Sequence, residues 1–114
     1  MELKTEDYCV WYDTATQTLT CQGTLRLADL EEYTPIWQLL NEVISQKPNL
    51  LTLDLRRLKY LNSSGFNVLS RFVLKVRQEA TMQLLVQASK QIAWQEKSLK
   101  NLQRVMPSLQ FEIE

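Results

Sequence analysis

Histidine is absent from this chain. Without an imidazole there is no Ser-His or Cys-His pair to activate a nucleophile, which argues against hydrolase chemistry. Cysteine is scarce: Cys9 and Cys21 are the only two, too few without histidine to form a structural zinc site. They read as buried, reduced thiols. No apolar run approaches the roughly 20 residues that span a bilayer. The opening Met-Glu-Leu-Lys-Thr-Glu-Asp lacks the basic and apolar regions of a signal peptide. Thirteen basic and thirteen acidic residues cancel, so no global field favours nucleic acid or an anionic membrane. A cytoplasmic protein with neither metal nor cofactor is the expectation. With 114 residues, 45% of them hydrophobic, residues 1–114 read as a single domain. Such a chain buries roughly two-thirds of its unfolded surface, enough for one core.

Glycine is as rare as cysteine, with Gly23 and Gly65 the only two. Gly65 closes the tetrapeptide Asn62-Ser63-Ser64-Gly65, between a strand-like run (Leu50 to Leu58) and a helical run (Phe66 to Val76). A glycine in a first helical turn costs roughly 1 kcal/mol relative to alanine. Something is therefore expected to need the missing side chain, such as the close approach of a partner's backbone. Two hydroxyls at a helix N-terminus, where N–H groups are unpaired and the dipole is positive, suit a phosphate. The same tetrapeptide also reads as an ordinary helix cap.

Periodicity supplies the rest. Residues 8–12 and Thr18 to Leu27 read as a hairpin, with Gly23 marking a bulge or a close backbone approach. Ile36, Trp37, Leu40, Val43 and Ile44 recur at helical spacing, with Thr34 as N-cap and Pro35 at the first helical position. Leu51, Leu53 and Leu55 alternate as a strand, as do Met82, Leu84 and Val86, and finally Leu109, Phe111 and Ile113. Ser89 is expected to cap a third helix carrying Ile92, Leu99, Leu102 and Met106. The order is β-β-α-β-α-β-α-β, an α/β fold with a mixed sheet, its helices over one face or both. Arg56, Arg57 and Lys59 read more readily as a solvated strand end than as an anion site, and Trp11, Trp37 and Trp94 as packing.

This order, with Asn62-Ser63-Ser64-Gly65 opening the second helix, resembles the STAS domain and more closely the bacterial anti-sigma factor antagonists. Leu53-Asp54-Leu55 and Gly23-Thr24-Leu25 match further family features, and the resemblance covers residues 8–114. It implies a non-enzymatic module for signal transduction and transcription regulation by partner switching. In that family an ATPase-type serine kinase, often doubling as the anti-sigma factor, phosphorylates the first serine after an Asp, and a PP2C-type phosphatase reverses it. Carried over, the phosphoacceptor is Ser63, with Ser64 second, and the partner-contact residues are Arg26, Asn62, Ser64, Gly65, Phe66 and Asn67. Two departures stand out. Asn62 replaces the Asp and keeps its capping ability. Arg26 stands where an acidic residue is common, so the usual partner would meet a like charge. A STAS-like scaffold that binds its partner without phosphorylation is the alternative. A small-ligand or nucleotide sensor ranks third and an enzyme last.

Overall fold

In the computed structural model, which describes residues 1–114, one sheet of six strands runs in simple sequence order. Strands β1 (Glu2–Lys4), β2 (Tyr8–Asp13) and β3 (Thr18–Leu25) pair antiparallel. β4 (Leu50–Leu61), β5 (Gln83–Ala88) and β6 (Gln110–Ile113) continue the sheet parallel to β3. Parallel neighbours need crossovers. These are α1 (Thr34–Ser45), α2 (Ser63–Gln78) and the pair α3 (Gln95–Leu99) and α4 (Leu102–Val105). Each crossover steps to the next strand in the same direction, and crossovers share one hand. All helices therefore pack on one face.

Burial records that layering. Leu51, Leu53 and Leu55 of β4 are fully buried beneath the helices, while the alternate residues Thr52, Asp54 and Arg56 reach the other face. Phe72, Val73 and Val76 of α2 and Leu40 and Val43 of α1 are equally inaccessible. Truncating one such side chain, Phe72 for instance, costs about 3–5 kcal/mol. The opposite sheet face carries no helix. Val10 pairs with Cys21 and Cys9 with Gln22, so the two thiols project to opposite faces and stay free. Burial, above all, raises the Cys21 thiol to about 12, with Asp54 and Cys9 adding to it.

The structure departs from the sequence reading in four places. β1 was not anticipated, because Leu3 is its one apolar residue. The α1 cap is Tyr33, and Thr34 is already helical with no capping bond. The helix expected from Ser89 is two short ones. The Ser89 hydroxyl instead accepts from Gln91 N (3.2 Å) within a turn. Finally, β4 runs past Leu58 to Leu61, and its pairing with β3 slips twice. Between Thr20 and Gln22 of β3, β4 advances from Asp54 to Arg57, and between Gly23 and Thr24 it advances from Leu58 to Tyr60. The first of these bulges resets the alternation so that Leu58 is buried like Leu55. Gly23 sits at the second slip with φ +90°, against the Asp7 carbonyl that accepts from Thr24 N (2.8 Å).

A bulge leaves strand carbonyls without ladder partners. Gln95, fully buried, supplies them: its amide donates to Leu55 O (2.5 Å) and Leu58 O (2.9 Å). Its own carbonyl accepts from Ser89 N (2.8 Å), which folds residues 89–95 into turns in place of a helix start. Replacing Gln95 by leucine keeps the volume and orphans three backbone groups. Urea denaturation should show a loss on the order of 3 kcal/mol.

Ionic tethering of the open face gives a second expectation. Burial alone would raise the Asp54 carboxyl, but the hydrogen bonds and charge of Arg56 outweigh it and hold the group below its ordinary value. A carboxylate depressed on folding contributes stability above its unfolded pKa and loses it as pH falls through the folded one. Stability should decline as acid passes below the usual carboxylate range, and an Asp54→Asn variant should show a shallower acid limb in pH-dependent unfolding.

Candidate functional site

The tetrapeptide lies where β4 becomes α2. Asn62 is the last extended residue: its backbone N–H donates to Leu25 O (3.1 Å), and its ψ of 176° turns the chain into the helix. Its side-chain oxygen accepts from Gly65 N (2.9 Å), the capping bond. The same oxygen accepts from the Tyr33 hydroxyl (2.7 Å), and its NH2 donates to Leu27 O (2.7 Å). The Tyr33 oxygen in turn accepts from Leu27 N (3.4 Å). One carboxamide thus ties the helix start to the β3–α1 connection. Tyr33 is 1% exposed, and burial pushes its hydroxyl pKa up, so it stays a donor at neutral pH.

Gly65 is buried beneath that hydroxyl. A Cβ there would lie 2.7 Å from the Tyr33 oxygen and 3.1 Å from its ring, and closer still to Leu61 Cδ1. The expectation that Gly65 makes room for another protein's backbone is therefore corrected. The room is taken by Tyr33 and Leu61 of the same chain. Asn62 is likewise half-buried, with its polar atoms turned inward.

The remaining residues face outward. Ser63 is exposed and Ser64 half-buried. Ser63, Phe66 and Asn67 line a groove of about 340 Å³ whose other wall is Trp94, Ser98 and Asn101. The Trp94 indole is fixed by its N–H, which donates to Lys59 O (2.9 Å). None of the residues lining this groove is ionisable. The serine hydroxyl has no base beside it, so the geometry offers a hydroxyl to be modified and not an activated nucleophile. The N–H groups of Ser63 and Ser64 have no carbonyl one turn back to bind. The first turn of α2 holds no acidic residue, and Lys75 and Arg77 occupy the last. The positive end of the dipole is left uncompensated.

Arg26 stands apart. It is exposed, its guanidinium lies 4.8 Å from the centre of the Tyr60 ring, and it lines a separate hollow with Asp7, Tyr8 and Thr24. Sequence reasoning missed Tyr33, Trp94 and Gln95. Tyr33 lies two residues before Pro35, where its spacing to Ile36 and Trp37 marks it only as a further apolar residue of the α1 stripe. Gln95 had a signal, because it falls three residues after Ile92 and four before Leu99, inside a stripe of apolar spacing.

Because Asn62 donates to a carbonyl, aspartate cannot replace it: a carboxylate oxygen would face Leu27 O. Asn62→Asp should lower stability by about 1–3 kcal/mol in chemical denaturation, although aspartate caps helices as well as asparagine does. Gly65→Ala should cost a similar amount, about 1–3 kcal/mol, through overpacking against Tyr33.

No family model matches this chain, and no curated protein matches it. Solved structures do. SiaC of Pseudomonas aeruginosa superposes with a TM-score of 0.73 at 16% identity, covering 100% of this chain and 99% of that one. A structure of the diguanylate cyclase SiaD in complex with its activator SiaC, also from P. aeruginosa, gives 0.75 at 16% identity, covering 99% and 97%. Apo-SiaC gives 0.71 at 15% identity, covering 100% and 98%. At these identities the likeness is one of fold. The chain has the STAS-like α/β fold, and it is shared with SiaC over the full length of both.

Proposed function

We propose that this protein is a non-enzymatic, cytoplasmic regulatory module that binds a protein partner through the groove at the start of α2, and that phosphorylation of Ser63 switches that binding. One observation carries the reading: an exposed serine opens a long helix at the mouth of a groove with no ionisable lining. A phosphoserine adds a charge of about −1.5 to −2. It would be the groove's only full charge. The helix N-terminus tolerates it, so the domain need not unfold. A partner seated on Phe66, Asn67 and Trp94 would have to desolvate it, at a cost of several kcal/mol. Ser63 is favoured over Ser64 by exposure. The switch needs an ATPase-type serine kinase and a PP2C-type phosphatase.

The partner class follows from surface chemistry and from the comparison. Arg26 on Tyr60 presents a cation, which suits an acidic residue of the partner. SiaC of the same fold is the activator of a diguanylate cyclase. A signalling enzyme is accordingly as good a candidate for the bound partner as an anti-sigma factor.

Affinity capture with the full-length chain checks this, using wild type, Ser63→Ala and Ser63→Glu as baits. Wild type and Ser63→Ala should retain one specific protein, and Ser63→Glu should bind it at least about tenfold more weakly. Peptide mapping of the chain purified from its own cells should find phosphate on Ser63. A partner that binds all three baits equally, with Ser63 unmodified, would instead establish the scaffold that works without phosphorylation.

A further inference from the structure

The bulge in β4 has an effect on the face of the sheet that no helix covers. Leu55 and Leu58 are both buried beneath the helices, so Arg56 and Arg57 between them turn, one after the other, toward the open face. Arg56 is held there. Its Nε and Nη2 donate to the two oxygens of Asp54 (3.0 and 2.9 Å), and Nη1 donates to Glu114 (3.1 Å). These are the only ion pairs in the protein, so Arg57, Lys59 and Lys4 have none. All three line a cleft of about 570 Å³. Its opposite wall is the turn before β2, fixed where Thr5 Oγ1 accepts from Asp7 N and Tyr8 N and where the Asp7 carbonyl accepts from Thr24 N. Glu6 and Asp7 also line it, so the cations are gathered on the β4 side and at Lys4. Gln22 and Ser89 add neutral hydrogen-bonding groups, and both are shared with an adjoining hollow of about 440 Å³ that reaches the half-buried Trp11 and is also lined by Asp54 and Glu114, the two carboxylates that Arg56 pairs with.

We infer that this cleft binds a polyphosphate anion of the nucleoside di- or triphosphate class, with Arg57, Lys59 and Lys4 on the phosphates and the base over Trp11. A concave site with unpaired cations rooted on two strands, Lys4 on β1 and Arg57 and Lys59 on β4, matches a compact, multiply charged oxyanion. Each hollow falls within the volume range of small-molecule sites. An aromatic face at the far end of a cationic cleft is where a base would stack. The site lies on a different surface from Ser63, so it operates whether or not the switch does.

Isothermal titration of the full chain at low salt tests it, with ATP, GTP, sodium pyrophosphate and hexaglutamate as probes. Saturable binding of a nucleotide with a raised melting temperature is expected. Arg57→Glu/Lys59→Glu should weaken it about tenfold or more, and Arg57→Gln, the milder change, should weaken it less. Trp11→Ala should weaken nucleotide binding and leave pyrophosphate unchanged. No saturable binding of any phosphate overturns the site, as does binding that survives the double variant or a preference for hexaglutamate. Equal binding of pyrophosphate and nucleotides, insensitive to Trp11→Ala, overturns the base contact while supporting the phosphate cleft.

Discussion

The carboxamide of Asn62 makes three hydrogen bonds that join two parts of the chain: one to the first turn of α2, and two to the β3–α1 connection, at the Leu27 carbonyl and the Tyr33 hydroxyl. Much of the surrounding sequence is a consequence. Tyr33 must be buried for its hydroxyl to reach Asn62, and once it is there Gly65 can carry no side chain. Ser63, at the start of the same turn, is left exposed. An aspartate could cap the helix but could not donate to Leu27 O. The asparagine that stands where the resembled antagonists carry an aspartate is thus tied to this chain's own packing, through one N–H.

How much of this was legible in the sequence depends on scale. The alternation of Leu51, Leu53 and Leu55 and the stripes from Ile36 to Ile44 and Phe66 to Val76 place three main elements close to where they lie, because period and burial follow directly from geometry. The special place of Gly65 was also legible, but its reason was not. A missing side chain announces a neighbour without saying whether the neighbour is internal or foreign. The β4 bulges were invisible because pairing register depends on the partner strand. Leu58 breaks the alternation begun at Leu51, and only Gly23 on β3 hints at the slip. The third helix was misread because the Gln95 side chain reaches back to Ser89 N and across to two β4 carbonyls, so that residues 89–94 turn before the helix begins. Local propensity cannot express that reach.

The bulge and its latch also explain how two unlike surfaces coexist in a small domain. Gln95 binds the inner side of the bulge, and the arginines emerge on the outer side. Trp94, the residue before Gln95, closes the groove beside Ser63 and binds Lys59 O. The neutral groove and the cationic cleft therefore share one support, the stretch of β4 from Leu55 to Leu61. No helix of the protein is long and apolar enough to cross a membrane. What the molecule offers its surroundings is these two flanks of one strand.

The strands follow sequence order from one edge of the sheet to the other, so position along the chain becomes position across the molecule. Acidic residues dominate up to Leu55 and basic ones from Arg56 to Arg104, with Glu112 and Glu114 returning a little negative charge at the last strand. A chain with no net charge consequently carries a sideways electric dipole. Such a molecule is turned by the field of a charged body before the two touch, its lysine- and arginine-rich flank leading toward anything negative.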